Sequence, residues 1–230
     1  VEHVTISGVS QEGNVTKVTL TEGLKYRHFA GVETLTDGNG NTRTVELRAP
    51  VGLLTRNVVV KGVQTSPQDV FGAHVSVVAI SGKDADQGTM WYKYGHIQAK
   101  YAHFENMGKQ SLPWAALNFE YHLKEGDSEA DAQQEVEMNV VQGCSFTLLN
   151  YGTILRAIKN VRLDNNVYYR GYKQTVEAWN DAQGNYITNN MVVGTWRDPE
   201  ETLDWLITYA SFYLQSKQAE VSGNIASGSQ

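Results

Sequence analysis

The sequence predicts an all-β chain whose larger part is a parallel β-helix, and three observations carry that expectation. First, a short unit recurs: Val141-Gln-Gly-Cys-Ser-Phe146, Leu163-Asp-Asn-Asn-Val-Tyr168, Ile187-Thr-Asn-Asn-Met-Val192 and Val221-Ser-Gly-Asn-Ile-Ala226. Gly143, Asn165 and Asn189 hold the equivalent place, 22 and 24 residues apart, and the fourth copy follows after 34. A period in this range marks stacked structural units. Second, no helical pattern lies between the copies, so the stacked rungs are short strands. Third, Asn suits such rungs twice over. It tolerates left-handed φ at corners, and stacked Asn side chains hydrogen-bond from one layer to the next. An ordinary sandwich with turns rich in Asn and Gly would account for the same residues.

Composition narrows the classes of function. With 19% charged and 41% hydrophobic residues, the 230-residue chain has a globular profile, with room for one sizeable core or two small domains. A net charge of −6 removes the electrostatic case for nucleic acid or an anionic membrane surface. No apolar run is long enough to insert across a bilayer. The opening VEHVTISGVS carries neither an initiator Met nor a signal-peptide pattern, so the chain reads as an interior piece of something longer. Cys144 is the only cysteine; set in a rung it reads as a small packing residue rather than a nucleophile. The sequon Asn14-Val-Thr16 makes Asn14 a glycosylation candidate in a secretory setting.

Taken in order, residues 1–66 alternate as strands do. Tyr26 to Leu35 leads into Asp37-Gly-Asn-Gly40, a hairpin turn, and Thr42 to Arg48 returns. Val51 to Gly62 is apolar enough to predict a strand covered on both faces. Thr65-Ser-Pro-Gln68 is loop and marks the boundary to a second domain over 67–230. There, strands are expected at Ala73–Ile80 and Tyr94–Phe104 with a polar loop between them. Loop insertions are expected at 109–135 and 196–206, the second opening with a helix start at Asp198.

Several segments together resemble the extracellular family of fibrocystin, fibrocystin-L and the cell-surface and secreted hyaluronan-degrading proteins. Val51-Gly-Leu-Leu-Thr-Arg-Asn-Val-Val-Val-Lys-Gly62 is similar to the end of that family's eight-glycine domain, and Leu20-Thr-Glu-Gly-Leu-Lys-Tyr-Arg-His28 to its "LT-x-PL-x-Y-x-H" segment. Phe71-Gly-Ala-His-Val75, Tyr101 to Gly108, Val141 to Phe146, Asn165 to Tyr168 and Asn189 to Thr195 resemble successive family segments in the same order. Ala210 to Tyr213 and Ser222 to Gly228 extend the match close to the C-terminal end. The resemblance implies a right-handed parallel β-helix over 67–230, preceded by the C-terminal part of an eight-glycine-type β domain over 1–66. It also implies an extracellular or cell-surface setting, a ciliary or flagellar surface included.

The same resemblance raises the question of chemistry. The hyaluronan-degrading relatives carry "YP-x-H-x-H" and "HGT" segments thought to line their glycan cleft. Here Leu112 to His122 leaves only His122 to correspond, and Leu155 to Asn160 has no histidine. The family's "FFLEDG" is matched by Gln174 to Trp179, which keeps Glu177 and lacks the following Asp. Cleavage by acid–base catalysis needs a proton donor and an acceptor within reach of one glycosidic bond. If the chain were active, Glu120, His122 and Glu177, with Arg156, would have to meet on one face. The plainer reading makes them solvated or structurally paired side chains.

His28 and His74 read as packing or hydrogen-bonding histidines. His96 and His103, an odd seven apart, would face opposite ways in a regular strand. No metal-ligand spacing, phosphate loop or dinucleotide fingerprint appears, so no metal and no cofactor is expected. Among the aromatics, Tyr168, Tyr169, Tyr172 and Trp179 are the glycan-stacking candidates; the alternative places such rings at the ends of the core.

The expected function is therefore a non-catalytic structural and interaction module of a large fibrocystin-L-like surface protein, a rigid spacer whose partners are flanking domains or neighbouring copies. Extracellular glycan is the other partner considered. A glycan-binding β-helix, or a polysaccharide-degrading hydrolase or lyase on the same fold, is the alternative.

Overall fold

The computed structural model describes residues 1–63, 72–109, 114–122, 137–179, 183–196, 209–215 and 218–228. The chain divides into two compact units, Val1–Gly52 and Leu53–Gln230.

The first unit holds two antiparallel hairpins. In one, β1 (Ile6–Glu12) pairs with β2 (Val15–Leu20) across a tight turn in which Gly13 takes φ 63°. Glycine at that place lets the turn follow the twist of its strands. In the other, β3 (Val32–Thr36) pairs with β4 (Thr42–Glu46). The turn between them is the Asp-Gly-Asn-Gly signal, held by the Asp37 carboxylate accepting the backbone N–H groups of Asn39 and Asn41, both at 2.9 Å.

The second unit is built from three sheets whose neighbouring strands run parallel. The first sheet contains β6 (Val75–Lys83), β10 (Leu117–His122), β13 (Thr153–Arg156), β16 (Val176–Trp179) and β19 (Phe212–Leu214), with β7 (Met90–Tyr94) added antiparallel beside β6. The second contains β8 (Gln98–Lys100), β11 (Asn139–Gln142), β14 (Val161–Asp164), β17 (Gln183–Thr188) and β20 (Gln218–Ser222). The third contains β5 (Val58–Lys61), β9 (Ala102–Glu105), β12 (Ser145–Leu149), β15 (Val167–Tyr172), β18 (Met191–Trp196) and β21 (Ile225–Ser227). From β8 onward each strand pairs with the strand three later, so the chain visits the three sheets in rotation. This all-β arrangement, without a helix among the described residues, is compatible with a parallel β-helix. We call each passage through the three sheets a circuit.

The recurring sequence unit is the joint between the second and third sheets, and the structure separates the two uses of Asn there. Tyr101, Gly143, Asn165, Asn189 and Gly223 stand one above another with φ between 53° and 65°. They form the corner. The next residue in three circuits, Asn166, Asn190 and Asn224, forms a ladder. The Oδ1 of Asn166 accepts Cys144 N–H (2.9 Å), that of Asn190 accepts Asn166 N–H (3.1 Å), and that of Asn224 accepts Asn190 N–H (2.9 Å). Their Nδ2 groups donate back to the carbonyls of Val141, Leu163 and Ile187. Asn166 and Asn190 are wholly buried. Because a buried amide left unbonded is costly, the ladder sets the register of one circuit on the next.

Apolar side chains fill the space between the sheets. Phe104, Phe146 and Tyr168 stack nearly parallel at centroid separations of 4.8 and 4.4 Å, close to the spacing of neighbouring strands. Cys144 is fully buried in the same core and burial pushes its thiol pKa up, which suits the packing role expected of it.

Three sequence expectations change. Val51 to Gly62 is not a strand covered on both faces. Only Val58–Lys61 is strand, and Val58 and Val59 are largely exposed because β5 is the edge of the third sheet. That pairing, with the bond from Arg56 Nε to Gly143 O (2.9 Å), joins this stretch to the second unit, whereas the sequence reading divides the chain at 66. Tyr94–Phe104 is not one strand: the left-handed corner at Tyr101 breaks it into β8 and β9. Within the stretch read as a loop insertion, Leu117–His122 is a central strand paired on both sides. The helix start at Asp198 and residues 124–135 of the first insertion lie outside the described residues.

Candidate functional site

The outer face of the first sheet gathers the residues on which an acid–base reading depends. Phe119, Leu155 and Ala178 point into the core. Strand alternation therefore turns Glu120, Arg156 and Trp179, which are register partners, to the outside. Asn118, Ile154 and Glu177 form a second outward row two residues earlier. Arg156 Nη1 donates to Glu120 Oε1 at 2.8 Å, and His122 Nε2 lies 3.3 Å from Glu120 Oε2. The Arg156 guanidinium also sits 5.2 Å from the centre of the Trp179 ring, a cation–π contact. Glu120, His122 and Arg156 thus share one cluster on this face.

Glu177 faces outward on the same sheet but is only 6% exposed. Its carboxylate accepts a hydrogen bond from the Tyr151 hydroxyl. Burial pushes its pKa above the ordinary glutamate value, against the opposing pulls of that hydrogen bond and of Arg156. Trp179 packs against Ala115, Tyr151 and Ile154.

A carboxyl group whose pKa is raised by burial, as that of Glu177 is, is the kind of proton donor that glycosidic cleavage uses. Glu120 and Glu177 are two strands and two residues apart, which places their Cα atoms about 12 Å from each other, with the side chains of Arg156 and Ile154 between. The His122 side chain is 61% exposed among the described residues.

The four glycan-stacking candidates do not form one patch. Tyr168 is 1% exposed, held in the aromatic stack with its hydroxyl 3.1 Å from Thr153 Oγ1, and burial pushes its pKa up. No sugar ring can reach it, which corrects its candidacy. Trp179 belongs to the first sheet, whereas Tyr169 and Tyr172 lie on β15 of the third. Beside these two is a residue the sequence reading missed. Trp196 contacts Tyr172 edge-on at 6.5 Å, and the Arg170 guanidinium lies 5.1 Å from Tyr169 and 5.7 Å from Trp196. The available signal was spacing: Trp196 follows Tyr172 by the same 24 residues that separate Asn165 from Asn189. Tyr151 carried no comparable signal, since its role comes only from the sheet that brings it over Glu177.

Asn14 is exposed beside Gly13 at the tip of the β1–β2 hairpin. His28 Nε2 is 2.8 Å from Glu2 Oε1, and His74 packs on Trp114 at 4.9 Å. His96 Nε2 approaches Met138 O at 3.1 Å and His103 Nε2 approaches Thr147 Oγ1 at 2.8 Å, so the two serve different strands. Among the described residues, no three His, Cys, Asp or Glu side chains gather as metal ligands.

Comparison with known proteins returns no matching family model and no matching solved structure. Over 220 residues the chain is 24% identical to fibrocystin-L of Mus musculus, an alignment that covers 91% of this chain and 5% of that protein. The chain therefore spans about a twentieth of the length of this relative, and the similarity is that of a distant relationship.

Proposed function

We propose that the chain is a non-catalytic extracellular module, a right-handed parallel β-helix that acts as a rigid spacer and assembly surface in a large fibrocystin-L-like surface protein. The observation that carries this reading is the state of the acid–base residues. Glu177 is buried and accepts the Tyr151 hydroxyl while Glu120 is held by Arg156, so both carboxyl groups are engaged by side chains of the chain itself. The Asn ladder and the aromatic stack supply the rigidity a spacer needs. The distant similarity to fibrocystin-L supports the extracellular setting, in which Asn14 would carry glycan. Flanking domains or neighbouring copies are its partners in this reading.

A second reading, a glycan-binding or glycan-depolymerising β-helix, is motivated by Glu120, His122, Arg156 and Glu177 sharing one outer face. One experiment separates the two. The purified chain is incubated with size-defined hyaluronan and a panel of other glycans, and polymer length and retention are read together. Unchanged length without retention is the expected result. Shortening that disappears in Glu177→Gln would overturn the module reading, and retention lost in Tyr169→Ala would move it to glycan binding.

A further inference from the structure

One column of positions on the third sheet runs against the preference of its own backbone. Glu105, Thr147, Tyr169, Val193 and Ser227 are register partners in successive circuits. The residues that follow them, Asn106, Leu148, Arg170, Gly194 and Gly228, therefore stand one above another, and all five have φ between 54° and 75°. Glycine enters this region freely and asparagine with little strain, whereas leucine and arginine lose backbone free energy there. Packing does not recover that loss, because Leu148 is 54% exposed and Arg170 is exposed too. A strained residue whose side chain serves little inside the fold points to a contact outside it. The surroundings of Arg170 say what kind. Its guanidinium lies 5.1 Å from the Tyr169 ring and 5.7 Å from the Trp196 ring, and no carboxylate pairs with it among the described residues. The Trp196 indole lies beside the bare backbone of Gly194, its Nε1 3.7 Å from where a Cβ would stand. A guanidinium stacked on rings keeps its fork of N–H groups pre-oriented for a carboxylate.

We propose that Leu148, Tyr169, Arg170, Tyr172 and Trp196 form a docking surface for an extended polypeptide segment that carries an apolar residue and, two positions on, an acidic one. Leu148 and Arg170 belong to adjacent rungs, about 4.8 Å apart, and residues two apart on an extended segment share one face at a spacing of about 6.6 Å, a difference the long arginine side chain spans. The partner's apolar residue covers Leu148, its carboxylate takes the guanidinium fork, and the rings keep water from the pair. Tyr, Trp and Arg gathered in one patch are the residues that carry most binding energy at protein interfaces. Charge complementarity sets the sign of the partner: a cation without a carboxylate, on a chain of net charge −6, takes an anion. Leu148 sets its class, since a sugar rich in hydroxyl groups would leave that exposed side chain without an apolar contact. This inference rests on the module reading and names where its assembly surface lies and the chemistry of the partner it takes.

The probe is the capped peptide Gly-Leu-Ser-Glu-Gly, with a second peptide in which Gln replaces Glu. Titrated into the isotope-labelled chain, the Glu peptide is expected to shift the Trp196 indole N–H resonance, identified by its loss in Trp196→Phe. The shift should saturate, at an affinity at least about tenfold above that of the Gln peptide, because a hydrogen bond between charged groups is lost with the carboxylate. Arg170→Gly should lose the same binding while unfolding at a urea midpoint equal to or above the parent's, since glycine relieves the left-handed residue. Equal affinity for the two peptides, or no saturable shift, overturns the proposal. An equal response to a hyaluronan hexasaccharide overturns the choice of a polypeptide. Midpoints well below the parent in both Arg170→Gly and Leu148→Gly also overturn it, because the two side chains would then serve the fold. Shortening of hyaluronan in the glycan assay would instead sink the module reading and leave the peptide titration to judge this surface.

Discussion

Replacing Asn190 with alanine removes four hydrogen bonds at one buried point. Its Nδ2 donates to Leu163 O at 2.9 Å and to Asn224 Oδ1 at 3.0 Å, while its Oδ1 accepts the N–H and Nδ2 of Asn166 at 3.1 and 3.0 Å. Alanine leaves the Asn166 N–H and the Leu163 carbonyl without their ladder partners in a dry interior. At about 1–3 kcal/mol for each of the two orphaned groups, the expected cost is roughly 2–6 kcal/mol. The neighbouring Asn189 provides the internal control. It is exposed, sits at φ 55°, and bonds Asp164 at 3.1 Å, so Asn189→Ala should cost only about 1–2 kcal/mol, chiefly for a left-handed alanine. Urea unfolding reads both, as a shift of midpoint at constant slope. If Asn190→Ala unfolds no more readily than Asn189→Ala, the ladder does not hold the circuits together.

Phe146→Ala opens the middle of the aromatic stack and should cost roughly 3–5 kcal/mol by the same urea assay; a loss below about 1 kcal/mol would contradict the packing described. For Glu177 the sign follows from its raised pKa: the folded chain holds the proton more tightly than the unfolded one. Its contribution to stability is thus present below about pH 4.5 and is lost as pH rises through the folded pKa. Glu177→Gln should accordingly match the parent in acid and exceed it near neutrality, measured as Tm against pH; a constant gap would refute the assignment. Arg156→Met removes the partner of Glu120 and should destabilise by roughly 1–3 kcal/mol. Adding Glu120→Gln should recover part of that loss, and strictly additive effects in the double-mutant cycle would mean the pair is not coupled.

Much of the architecture was legible because the repeat lies in the joint between the second and third sheets. Gly143, Asn165 and Asn189 share a place in the sequence because they share a backbone conformation that glycine and asparagine enter most easily. The same column contains Tyr101, and a tyrosine there gives no such cue, so the break between β8 and β9 was invisible. Leu117-Asn-Phe119 was hidden differently. It is a buried strand flanked on one side by an acidic stretch, and composition averaged over the whole stretch read as loop. The candidate site was legible in membership but not in state. The resemblance named Glu120, His122 and Glu177 as residues that would have to meet on one face with Arg156, whereas the capping of Glu177 by Tyr151 depends on a contact that no local pattern records. Tyr168 failed as a surface candidate because one alternation step, set by its neighbour Asn166 turning inward, sends it into the core.

The joint that carries both Asn columns never varies by more than a residue in the described circuits: Gly143 and Cys144, Asn165 and Asn166, Asn189 and Asn190, Gly223 and Asn224 each bridge two strands. Between the third and first sheets the connection ranges from Asn150–Gly152 to the whole of 197–211. Length is therefore free to change at one corner without disturbing alignment at another. A foreign loop grafted between β15 and β16 would be expected to leave the stacking of later circuits intact, whereas a single residue inserted beside Asn166 would shift every rung that follows. The fold thus behaves as a ruler with one graduated edge and one edge open to ornament.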